Sequence, residues 1–89
     1  MKIKITDTND TVLRAYETIG FDIEVITEMV PESFKESEPR VISILTQAGV
    51  ADRYIITKAN AESLIEKFMA DTAVTIKVDE EKHTANSIA

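Results

Sequence analysis

Apolar and polar residues alternate along three separate stretches, Lys2 to Thr6, Phe21 to Met29 and Val74 to Asp79, and this period of two constrains the fold more than any other feature. Successive side chains of a strand point to opposite faces, so the period fits a strand with one face buried. In the first stretch Ile3 and Ile5 take one side and Lys2, Lys4 and Thr6 the other. In the second, Phe21, Ile23, Val25, Thr27 and Met29 form the inward set, leaving Asp22, Glu24, Ile26 and Glu28 outward. A helical stripe through Phe21, Val25 and Met29 is the rival there. Gly20 and the β-branched Ile23, Val25, Ile26 and Thr27 favour the strand.

Helical spacing is expected between these strands. Asp7 to Asp10 offers cap chemistry, after which Val12, Ala15, Tyr16 and Ile19 recur one helical turn apart and Gly20 can close the helix. A hairpin through Thr8-Asn9-Asp10 competes, although it lacks the glycine that a tight two-residue turn prefers. Val30 to Arg40 reads as a polar connection holding one helical turn around Phe34. Ser37 can cap a second helix that admits Pro39 in its first turn, presents Val41, Ile44, Leu45 and Ala48 on one side and stops at Gly49. Val41, Ile42 and Ile44 would also suit a strand. Tyr54 to Thr57 is a short β-rich run, and Asn60 is placed to cap a third helix bearing Ala61, Leu64, Ile65, Phe68 and Met69.

These elements predict a single small α+β domain over residues 1–79, with an antiparallel sheet covered by helices on one face. The order β-α-β-(α)-β-α-β is that of a ferredoxin-like fold. Residues 80–89 are polar or small and are expected to form a disordered tail.

With 89 residues the chain sits at the small end of the domain range, where folding buries roughly 60 to 65% of the surface the unfolded chain exposes. A second domain, or a cleft enclosed between two lobes, does not fit. The chain has no cysteine, which removes disulfides, thiolate nucleophiles and cysteine zinc sites. The first residues alternate Lys with Ile and never become the continuous apolar stretch of a signal peptide or membrane span, so a cytoplasmic location is expected.

No catalytic constellation emerges, and the chain is not expected to be an enzyme or to need a cofactor or metal. The single histidine, His83, falls in the expected tail, where no supporting shell would fix its tautomer. Both glycines stand alone at helix ends, so no phosphate-cradling loop exists. Asp7 and Asp10 share a loop without the glycine and distal glutamate of a calcium-binding loop.

Sixteen acids against ten bases give a net charge of −6, which disfavours direct contact with nucleic acid or anionic membrane and permits a basic protein partner. The acids cluster. Asp22 and Glu24 lie about 6.7 Å apart along one strand, Glu28 continues the line with Ile26 between, and Asp79, Glu80 and Glu81 gather where the last strand ends. Such a row can imitate a phosphate backbone. Solubility, and a charged edge that discourages sheet-to-sheet aggregation, account for the same residues without a partner.

The stretch Ala48-Gly49-Val50-Ala51-Asp52-Arg53-Tyr54-Ile55 resembles the turn of helix-turn-helix repressors, where an Ala-Gly-Val turn precedes an apolar pair such as Tyr-Ile. The resemblance implies a first helix over Val41 to Ala48 and a recognition helix over Ala51 to Ala59, with Arg53 and Lys58 meeting DNA. Leu45 and Asp52 depart from that pattern. In size and charge the chain is also similar to phage-encoded inhibitors of host defence, anti-CRISPR proteins among them. That likeness implies an acidic module docking on a basic surface of a nucleic-acid-handling protein, through Asp22, Glu24, Ile26, Glu28, Asp79, Glu80 and Glu81. A small homo-oligomeric accessory protein, dimeric through an open sheet face, is a further expectation.

Overall fold

The computed structural model describes residues 1–26 and 39–89. In chain order the elements are β1 (Lys2–Thr6), β2 (Val12–Glu17), β3 (Gly20–Val25), β4 (Arg40–Thr46), β5 (Gly49–Ile56), α1 (Lys58–Met69), β6 (Val74–Asp79) and β7 (Thr84–Ile88). These seven strands join one sheet in the order β2-β1-β6-β7-β5-β4-β3. Pairing is parallel between β1 and β6 and between β5 and β7, and antiparallel elsewhere.

The sheet has to curl. Its two edge strands, β2 and β3, are separated in sequence only by Thr18 and Ile19. Laid flat, the six inter-strand spacings of about 4.8 Å would hold them roughly 29 Å apart. The link reaches at most about 11 Å. The edges therefore meet at a corner, where β2 runs on into β3. Thr18 fastens it: its N–H donates to the Met1 carbonyl at 3.0 Å and its hydroxyl to the Leu45 carbonyl at 2.6 Å. The Ile19 N–H also reaches the Leu45 carbonyl, at 2.9 Å, so two sheet edges are bonded through consecutive residues.

The core gathers Ile3 and Ile5 from β1, Ile42 and Ile44 from β4, Tyr54 and Ile56 from β5, and Val74, Ile76 and Val78 from β6, all buried. Ala61 and Leu64 of α1 and Ala85 of β7 complete it. Each large aliphatic side chain buried here stabilises the fold by about 1.5–3 kcal/mol relative to exposure. The helix begins at Thr57, whose side chain accepts from the Asn60 N–H at 3.2 Å, and packs against β7 and β4. Near its C-terminus the Phe68 ring meets Phe21 edge-on, with centroids 5.6 Å apart.

Several expectations are corrected. The arrangement is one α+β domain with a seven-stranded mixed sheet and a single helix among the described residues, not a ferredoxin-like fold. Val12 to Ile19 contributes a strand rather than a helix, because the hairpin forms without glycine. Asp7 Oδ1 accepts from the Asn9 and Thr11 N–H groups at 2.8 and 2.9 Å, and Asp10 itself takes the left-handed conformation at φ 65°. Aspartate tolerates that region better than most residues.

Arg40 to Thr46 is also a strand, buried over Ile42, Ser43 and Ile44, and it turns through Gln47-Ala48 into β5. Gly49, at φ 116°, occupies a backbone conformation that a side chain would strain. Two adjacent strands thus replace the helix-turn-helix expected over Val41 to Ala59, and α1 starts only at Lys58. The third helix is present but is capped by Thr57, not Asn60. The expected disordered tail forms β7, inserted between β5 and β6. The expected turn around Phe34, and the strand positions Thr27 to Met29, lie outside the described residues.

Candidate interaction surface

β3 is an edge strand that pairs with β4 over six positions without irregularity, from Gly20 opposite Leu45 to Val25 opposite Arg40. Alternation sets Phe21 and Ile23 half-buried against the core and leaves Asp22 and Glu24 exposed on the outer face. Val25, expected inward, is 58% exposed. Ile26 follows the strand half-buried, with its N–H on the Pro39 carbonyl at 3.4 Å. Glu28 lies outside the described residues. Across the outer face, Asp22 stands opposite Ser43 and Ser43 opposite Arg53, whose Nε donates to the Ser43 hydroxyl at 3.1 Å.

Of the acids expected beside them, Asp79 and Glu80 have work within the fold. Asp79 Oδ1 accepts from the Glu81 and Lys82 N–H groups at 3.0 and 3.1 Å and shapes the turn into β7. Glu80 bonds Arg14, while Glu81 is exposed. In sheet order β6 and β3 are separated by β7, β5 and β4, so the carboxylates at 79 to 81 do not extend the row on β3. Asp10 pairs with Lys77 at 2.9 Å. Asp22 and Glu24 take part in no ion pair among the described residues.

Sequence reasoning missed a second constellation. Arg14 and Tyr16 on β2 meet Asp52 and Tyr54 on β5, strands that are not neighbours in the sheet. Arg14 Nε donates to Asp52 Oδ2 at 3.2 Å and Nη2 to Glu80 Oε1 at 2.7 Å, and Nη2 also bonds the Tyr54 hydroxyl. The Tyr16 hydroxyl donates to Asp52 Oδ2 at 2.7 Å, and that of Tyr54 reaches Glu80 Oε1 at 3.2 Å. His83 sets its ring edge-on to Tyr54 with centroids 5.8 Å apart, and its carbonyl accepts from the Ile55 N–H at 2.7 Å. It is part of an ordered turn at φ 56°, not of a loose tail.

Burial pushes both phenols above the ordinary tyrosine range; the hydrogen bond and charge of Asp52 add to this at Tyr16, and the charge of Asp52 at Tyr54. The hydrogen bond from Arg14 pulls the Glu80 carboxyl below its usual range. Burial opposes the Arg14 charge, but the Glu80 hydrogen bond and the surrounding negative groups raise its pKa overall. Every shift moves its group away from neutrality, where general acid–base work would need it. The cluster is suited to fastening two layers of the sheet.

Arg53 and Lys58, expected on a recognition helix, lie instead on β5 and at the first residue of α1. Among the described residues no three histidine, aspartate or glutamate side chains converge as a metal site requires, and no helix is long and apolar enough to cross a membrane. No family model, curated protein or solved structure matches the chain.

Proposed function

We propose that this chain is a non-catalytic, cytoplasmic interaction module that docks the acidic outer face of β3 against a basic surface of a nucleic-acid-handling protein, in the manner of a phage-type inhibitor such as an anti-CRISPR. One observation carries the reading. Asp22 and Glu24 are exposed on an edge strand and, among the described residues, make none of the internal bonds that occupy Asp10, Asp52, Asp79 and Glu80. Opposed charge across an interface speeds encounter and selects against wrong partners. The net charge of −6 acts in the same direction.

Affinity capture from the native host with the wild-type chain and with Asp22→Lys/Glu24→Lys tests it. The wild type is expected to retain a basic nucleic-acid-handling protein that the charge-reversed variant, still folded by circular dichroism, does not. Equal capture by both overturns the reading.

A further inference from the structure

We infer that β3 takes up an extended basic segment of its partner as an added strand, so that backbone bonding supplies affinity while Asp22 and Glu24 select charge. The inference rests on the docking role proposed for β3 and specifies its mode.

The hydrogen-bond phase of the strand leads to it. The Ile26 N–H bonds the Pro39 carbonyl. In a regular antiparallel ladder bonded pairs recur at every second residue, so Glu24 opposite Val41 and Asp22 opposite Ser43 also direct their backbone groups to β4. Phe21, Ile23 and Val25 then direct theirs outward, where no strand pairs with them among the described residues. An antiparallel newcomer bonding at those three would set its intervening side chains opposite Asp22 and Glu24. Those are the non-hydrogen-bonded positions, with Cα atoms about 4.5 Å apart and side chains closest.

The two edges of the sheet differ in what they offer. The pairing of β2 with β1 is interrupted between Ile5 and Thr6, and Arg14 and Tyr16 are engaged with β5. β3 has no proline and no register shift to blunt it, and its edge charges, Asp22 and Glu24, are both acidic, so they oppose an acidic or identical strand but not a basic one. Charge then decides the occupant. An antiparallel second copy of β3 would bring Asp22 and Glu24 against their own equivalents, and like charges directly opposite are destabilising. Lysine or arginine at alternate positions of the incoming strand is favourable, and an apolar residue between them would extend the inward row of Phe21 and Ile23.

The test uses the whole chain and a capped hexapeptide alternating lysine with valine, followed by nuclear magnetic resonance. The peptide is expected to bind and to slow amide exchange at Phe21, Ile23 and Val25 by about tenfold or more at saturation. N-methylation of its valines, or glutamate in place of its lysines, is expected to weaken binding by about tenfold or more. Val25→Pro removes an outward N–H while leaving the ladder to β4, a substitution edge strands tolerate, and is expected to weaken binding equally. Unchanged binding of the N-methylated peptide overturns strand addition even if Val25→Pro fails to fold, and leaves charge docking standing. Binding of the glutamate peptide as well as the lysine one, or undiminished binding by Asp22→Lys/Glu24→Lys, overturns the charge reading too. Absence of binding overturns strand addition.

Discussion

The Tyr16 hydroxyl donates to Asp52 Oδ2 at 2.7 Å across 36 residues of sequence and ties β2 to β5, strands with three others between them in the sheet. With Thr18 at the corner, this bond holds the sheet in its curled form. Arg14 and Glu80 extend the tie to the turn after β6.

Removing the shared acceptor should therefore cost more than removing one donor. Asp52→Ala leaves Tyr16 and part of Arg14 without a partner and is expected to destabilise the fold by about 1–3 kcal/mol, against about 1 kcal/mol for Tyr16→Phe. Urea unfolding measures both. Values within about 0.3 kcal/mol of wild type would make the cluster a surface decoration.

Alkali should loosen the same tie. Both phenols are held above the ordinary value of about 10, so the folded state keeps protons that the unfolded state releases. Stability is then complete below about pH 10 and falls as pH rises through that value towards the folded pKa values. The chain contains two tyrosines and no tryptophan, so phenolate absorbance reports on these two groups alone. Native phenols ionising together near the ordinary value would contradict the assignment.

β7 has a structural duty that its composition hides. It pairs with β6 from Thr84 opposite Asp79 to Ile88 opposite Ile76 and with β5 at Ile55 and Ile56, and Ala89 exchanges two backbone bonds with Thr75 at 2.9 Å each. Truncation after His83 is expected to abolish the cooperative thermal transition. A shortened chain that unfolds like the full one would show β7 to be dispensable.

One buried hydroxyl points the other way. Thr6 Oγ1 is buried with no hydrogen-bond partner among the described residues. Thr6→Val keeps the shape and removes the unpaired group, and an increase in unfolding free energy of about 1 kcal/mol is expected from denaturant titration. A loss of similar size would mean that the hydroxyl is satisfied in solution.

Legibility in the sequence followed how locally each element is determined. β1, β3 and β6 were readable because one face of each is apolar, and α1 because Ala61, Leu64 and Phe68 repeat at helical spacing. β2 was not. Its inward positions are Arg14 and Tyr16, whose partner Asp52 is remote in sequence, while Val12, Ala15 and Ile19 imitate a helical stripe. β4 is buried at Ile42, Ser43 and Ile44 in succession, so it has no period to betray a strand. β7 is held by backbone bonds on both sides and needs few apolar side chains. For the site, Asp22 and Glu24 were legible as outward residues of an alternating strand, whereas the duties of Asp79 and Glu80 depend on a turn and on an arginine 66 residues away.

The proposed docking role is tested most directly by the association rate of the captured partner with this chain, followed from about 50 mM to about 500 mM salt. A steep fall is predicted, about tenfold or more, with a shallower slope for Asp22→Lys/Glu24→Lys. A rate independent of salt, or equal slopes for both proteins, would contradict it.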